Sequence, residues 1–176
     1  CGRTTTAKGF DTFLQIARIL KSRQAITKIG IIGALNISKV KRKVAEYGLS
    51  GITDIHPLLP PERLPGFLTQ AKICLFPSHN DAYGVGVIEA VSCGALVLAS
   101  DAVGCAPDVL APGQILSPEI ALDWATACEE LLTNPGKWDH IRTTQSARIA
   151  NNTPDHHAYS IWQTVDAAIR WSENAT

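Results

Sequence analysis

At 176 residues, 45% of them hydrophobic and 18% charged, the chain has the length of one domain with a substantial core. No apolar run reaches the roughly 18 residues a membrane span requires, which excludes a spanning helix. Sixteen Lys and Arg balance sixteen Asp and Glu, but unevenly: positions 1–50 hold ten bases against two acids, and the run Lys39, Lys41, Arg42, Lys43 lacks the interleaved aromatics of a nucleic-acid platform.

The basic excess fits phosphate on a ligand, an anionic membrane surface or a plain solvated helix face. The chain contains no Met and opens C-G-R-T-T-T-A-K-G, so it reads as a piece of a longer protein without a signal peptide. Its five cysteines include no C-x-x-C pair. They read as small buried hydrophobes in a reducing, cytoplasmic setting.

In chain order, Phe10, Phe13, Leu14, Ala17 and Leu20 fall at helical spacing and predict an amphipathic helix over 10–23. The run 28–33, K-I-G-I-I-G, reads as a buried strand closed by Gly33. A second helix is expected over 36–47, with Ser38 as its cap and Gly48 as its stop. A short strand at 52–56 ends in prolines, a short helix covers 62–70, and 72–76 is an apolar strand of the kind covered on both faces. After a loop, a helix begins near Gly84 and Gly86. Strand 95–100, a loop at 101–110 and a brief strand at 114–116 follow, then helices over 119–132, 137–150 and 158–171. Strands alternating with helices predict right-handed crossovers and an α/β fold, a Rossmann-like parallel sheet flanked by helices on both faces. Ligands in such sheets bind outside the carboxyl ends of the strands. The loops 2–9, 33–36, 57–61, 77–84 and 101–108 are therefore the candidate site.

The stretch 76–94, F-P-S-H-N-D-A-Y-G-V-G-V-I-E-A-V-S-C-G, carries the strongest chemical signal. Bare amides at a helix N-terminus attract an anion, and glycines let it approach the backbone. Asp81 and Glu89 would not sit on that anion, so both are expected to accept hydrogen bonds from neutral hydroxyls of the same ligand, a phosphate carrying polyols. Gly84-x-Gly86 lacks the third glycine of a dinucleotide fingerprint, and neither a phosphate-loop nor a nucleophile-elbow motif is present. Eight residues on one loop and helix do not place Asp81 and Glu89 across a bound sugar as a glycosidase pair.

Together G-R-T-T-T-A-K-G at 2–9, G-I-I-G at 30–33, the stretch 77–94 and A-S-D-A-V-G-C-A-P-D-V-L at 99–110 resemble the C-terminal, donor-binding half of retaining glycosyltransferases of the GT-B fold, family four. The resemblance implies that the whole chain, 1–176, is a nucleotide-sugar binding domain, with 155–172 a C-terminal helix. The N-terminal acceptor domain is then missing from this chain. It implies hexosyl transfer from a nucleotide diphosphate sugar to an acceptor hydroxyl with retention, in polysaccharide or glycolipid biosynthesis. Arg3 and Lys8 would hold the diphosphate. Glu89 matches the second Glu of the family's Glu-x7-Glu pair and would bind ribose hydroxyls. Asp81 stands where the first Glu lies against the donor sugar, one methylene shorter, and a turn or helix-charge role is its alternative.

The resemblance implies further roles. Tyr83, Gly84 and Val85 would offer amides to the sugar or its phosphate, Leu58 and Leu59 would flank the base, Gly33 would line the cleft, and Pro107 and Asp108 would lie on the last ligand-side loop. No cofactor and no metal is expected, since two cations and a helix end can stabilise the leaving diphosphate. The partners implied are the nucleotide sugar, the missing domain and peripheral membrane contact of the longer protein at the inner face, with no nucleic acid. A nucleotide-sugar epimerase of the same fold and a non-catalytic nucleotide-binding module are the alternatives.

Overall fold

The computed structural model describes residues 4–150; Arg3 and the helix expected within 155–172 lie outside the described residues. The chain runs α1 (Phe10–Ser22), β1 (Ile29–Ile32), α2 (Ile37–Glu46), β2 (Thr53–His56), α3 (Leu64–Leu68), β3 (Ile73–Phe76), α4 (Val85–Ser92), β4 (Leu96–Ser100), α5 (Ala106–Val109), β5 (Ile115–Leu116), α6 (Ala121–Thr133) and α7 (Pro135–Ala150). Every strand pairing is parallel, with β1 against β2, β3 against β4 and β4 against β5. Among the described residues the ladders form two sheets, β1-β2 and β3-β4-β5, where the sequence suggested one.

Burial explains the layering. β4 is buried at all five positions, as a central parallel strand must be when helices cover both faces. Cys74, Phe76, Val97 and Ala99 point to one face and pack in a cluster with Val87, Ala90 and Val91 of α4 and with α3 and α5. Leu98 points to the other face, packing with Ile16 and Leu20 of α1 and Trp124 of α6. Alternation along the strand thus divides one apolar run between two layers. A third cluster joins Leu14 and Ala17 of α1 to Ile29 and Ile31 of β1 and Val40 and Val44 of α2.

Helix ends follow local chemistry. Asn36, not Ser38, caps α2: its Oδ1 accepts the Lys39 N–H at 2.9 Å, and its backbone is extended as a cap requires. At the other end Gly48 adopts φ 69°, its N–H bonding Ala45 O and that of Leu49 bonding Val44 O. This double closure seals the last turn, with Leu49 and Val44 both buried. α4 ends the same way at Gly94.

Candidate functional site

A cleft of about 400 Å³ opens between the carboxyl ends of β1 and β3. From it the chain winds through α2 to β2 and through α4 to β4, so the cleft occupies the switch point of the parallel sheets, where side chains and amides from two loops face one space. Its lining includes Lys8, Gly33, Leu58, Leu59, Asp81, Tyr83, Gly84, Val85 and Glu89.

Two loops are stitched together on one side. After the turn at 5–8, Gly9 begins α1 with φ 66°, and a Cβ there would lie 1.6 Å from Pro77 O. Only glycine allows that approach. Ala7 O then accepts N–H bonds from His79 (2.9 Å) and Asn80 (3.2 Å). The stitching puts Lys8 Nζ 2.9 Å from Asp81 Oδ2, with both side chains partly buried.

Asp81 is itself fixed from behind. Its N–H bonds Ala102 O at 3.1 Å, its carbonyl accepts from Gly104 N–H at 3.0 Å, and Tyr83 O accepts from Cys105 N–H at 2.8 Å. A side chain at Gly104 would run into Ala82 O at 2.1 Å. The loop after β4 therefore acts as a back wall. Pro107 and Asp108, expected on the ligand side, sit on α5, exposed and outside the cleft lining. Arg148 Nη1 holds the end of that helix from α7 by donating to Leu110 O at 2.6 Å.

The helix end differs from the loops. Gly84 precedes α4 with φ 91°, and a Cβ there would press on Val103 Cγ1 at 2.4 Å. The first amides of α4 have no intrahelical acceptor, and the helix dipole adds partial positive charge beside them. Cys105 supports the turn by donating its thiol to Gly84 O at 3.4 Å. Burial pushes that thiol up to about 11, with the Asp81 charge adding to the effect.

Glu89, one turn into α4, is partly buried in the cleft, and its carboxylate has no hydrogen-bond or ion-pair partner among the described residues. A partly buried carboxylate without a donor is an open acceptor for ligand hydroxyls. Across the cleft, Leu58 is 68% exposed and Leu59 half-buried, an apolar lip. Gly33 lines the space with φ 100°, but its N–H is shared between His56 O and Pro57 O at 3.2 Å each, so its amide is already engaged.

Residues that sequence reasoning passed over also lie here. Thr4, Ser78 and Phe13 line the cleft. Ser78 O accepts the buried Ser100 hydroxyl at 2.5 Å, tying the ends of β3 and β4 together. His79 lies 3.3 Å from Thr12 Oγ1 and 3.0 Å from Glu119 Oε1, bracing the loop against α1 and the start of α6. The T-T-T run at 4–6 was the available hint for Thr4; nothing local signals His79, whose partners are 67 and 40 residues away. Among the described residues no group of three or more His, Cys, Asp or Glu is placed to hold a metal ion.

Residues 1–153 match the model of the family described as glycosyl transferases group 1. A curated relative, the D-inositol 3-phosphate glycosyltransferase of Arthrobacter sp. (strain FB24), is 27% identical over 141 residues, covering 76% of this chain and 34% of the relative. The chain thus spans about a third of that relative's length. Among solved structures, sucrose-phosphate synthase from Thermosynechococcus elongatus superposes with a TM-score of 0.75 at 20% identity, covering 94% of this chain and 44% of the other. HepE from Anabaena, in complex with UDP, gives 0.76 at 18% identity, covering 94% and 48%. These neighbours carry the GT-B fold, and this chain has the architecture of one of its halves.

Proposed function

Because the chain belongs to the glycosyl transferases group 1 family, we propose that it is the donor-binding half of a retaining glycosyltransferase moving a sugar from a nucleotide diphosphate sugar to an acceptor hydroxyl. The observation that carries this reading is the cleft itself, which gathers Lys8, the N-terminus of α4 and a Glu89 carboxylate that has no partner among the described residues in one space. An ammonium and a helix end suit the diphosphate, and an acceptor-only carboxylate suits the ribose diol. Leu58 and Leu59 suit the face of a base. The UDP bound to the HepE neighbour supports a nucleoside diphosphate as the ligand class.

In this mechanism the diphosphate is the leaving group, and attack comes on the face it departs from. Charge grows on its bridging oxygen as the glycosidic bond breaks. Lys8, Arg3 and the amides at Tyr83 to Val85 stabilise that charge, each donor contributing on the order of 3 kcal/mol in a preorganised site. Asp81 accepts from a hydroxyl of the transferred sugar and orients the reacting carbon. The acceptor is bound by the remainder of a longer protein. Buried thiols at Cys74, Cys105 and Cys128 suit a reducing compartment, and we assign the protein to the cytoplasm, with the longer protein reaching the inner membrane face.

Titration of the chain with UDP, GDP and ADP by calorimetry tests the reading. One of the three is expected to bind, and Lys8→Ala and Arg3→Ala are each expected to weaken it by about tenfold or more, the worth of a charge-assisted hydrogen bond. Absence of binding to all three would remove the donor-site assignment.

A further inference from the structure

The pairing of Lys8 with Asp81 is not what a waiting phosphate site requires. The charged side chains lining the cleft among the described residues are one ammonium, Lys8, and two carboxylates, Asp81 and Glu89. Among the described residues these sum to one negative charge, and the Lys8 ammonium lies 2.9 Å from a carboxylate. The loops bearing the pair cannot separate to release it. Ala7 O is bonded to the N–H groups of His79 and Asn80, and Asp81 is held through both its N–H and its carbonyl to residues 102–104.

What can move is the lysine. Its ammonium rides on four rotatable bonds, whereas the aspartate carboxylate stands one methylene from a fixed backbone. Its side chain is 34% exposed, so the ammonium can swing without opening the core.

We propose that donor binding is an exchange of partners at Lys8: the ammonium leaves Asp81 for the diphosphate, and the freed Asp81 carboxylate is satisfied by a hydroxyl of the donor sugar. This rests on the reading of the cleft as a nucleotide-sugar site and adds a specificity to it. An intact donor brings both replacements, phosphate oxygens for Lys8 and a hydroxyl for Asp81. A free nucleoside diphosphate brings only the first and leaves a partly buried carboxylate bare, which is costly. Asp81 thereby discriminates against the diphosphate product and favours its release.

A double-mutant cycle tests the exchange, with UDP, GDP and ADP titrated by NMR up to millimolar concentrations into the wild-type chain, Asp81→Asn, Lys8→Met and the double variant. Asn preserves the size and backbone bonds of Asp81, and dispersed spectra report that each variant is folded. In the wild-type background Asp81→Asn is expected to tighten the bound nucleoside diphosphate about threefold or more, the scale of a partly exposed ion pair, and to have no such effect in the Lys8→Met background. Unchanged or weaker binding in Asp81→Asn overturns the exchange. Equal tightening in both backgrounds also overturns it, because it reports simple repulsion between Asp81 and phosphate. A wild-type chain that binds none of the three nucleotides defeats the donor-site reading itself, whereas binding without the Lys8-dependent gain defeats the exchange alone.

Discussion

Gly9, Gly84 and Gly104 shape the site by what they lack. Each stands where a methyl group would meet a backbone carbonyl or a buried side chain within 2.4 Å, and the approaches they permit bring the loops at 5–9, 77–84 and 101–105 together. The sequence showed that Gly84 begins a helix, since a glycine before an apolar run is a local sign. It could not show what Gly9 or Gly104 touches, because those partners lie 68 and 22 positions away. Cys105 has a measurable consequence at the same scale. Burial holds its thiol up to about 11 and that of Cys128 up to about 12, against an ordinary value of 9.0. Both groups are raised in the folded state, so their contribution to stability is intact below pH about 9 and is lost as the pH climbs towards those values. The urea midpoint is expected to fall between pH 9 and 11, and Cys105→Ala combined with Cys128→Ala is expected to flatten that fall. An identical slope in the variant would dissociate the thiols from alkaline unfolding.

At the scale of elements, helix ends separate what is locally encoded from what is not. Gly48 and Gly94 close α2 and α4 in left-handed geometry, and glycine supplies that conformation without strain. α1 closes with the same pair of bonds, Gln24 N–H to Lys21 O and Ala25 N–H to Leu20 O, but the left-handed residue is Gln24 at φ 59°. A side chain there costs about 1 kcal/mol relative to glycine. Gln24→Gly is therefore expected to stabilise the chain by about 0.5 to 1 kcal/mol in denaturant unfolding, the relief of strain outweighing the added freedom of the unfolded glycine. A destabilised variant would mean that the Gln24 side chain contributes more than its backbone costs. The cap of α2 is instructive in another way. Ser38 and Asn36 are both competent capping residues, and the choice fell on Asn36 because only its oxygen reaches the Lys39 amide from an extended backbone.

For the whole molecule, the parallel ladders and two-sided burial of β4 follow from strands too apolar to face water and too far apart in sequence to pair as hairpins. The chain spans about a third of the Arthrobacter relative's length, and in the proposed reading the acceptor is bound by the remainder of a longer protein. The 176-residue chain alone is accordingly expected to bind nucleoside diphosphate and to transfer no sugar, as a radiolabelled-donor assay would register. In a protein that also carries the acceptor-binding half, transfer is expected to appear and Asp81→Asn to reduce it by about a hundredfold or more while binding survives. Retained transfer in that variant would take Asp81 out of the chemistry. The sequence by itself determined the alternation of strands and helices, the α/β class and the family, because periodicity, glycine placement and motif spacing are local properties of the chain. Only the tertiary structure decided that Lys8 and Asp81, 73 positions apart, form an ion pair, that the Glu89 carboxylate has no partner among the described residues, and that the loop after β4 serves as a wall. Those outcomes depend on which carbonyls and amides meet across the switch point, and contacts of that range arise when the layers pack.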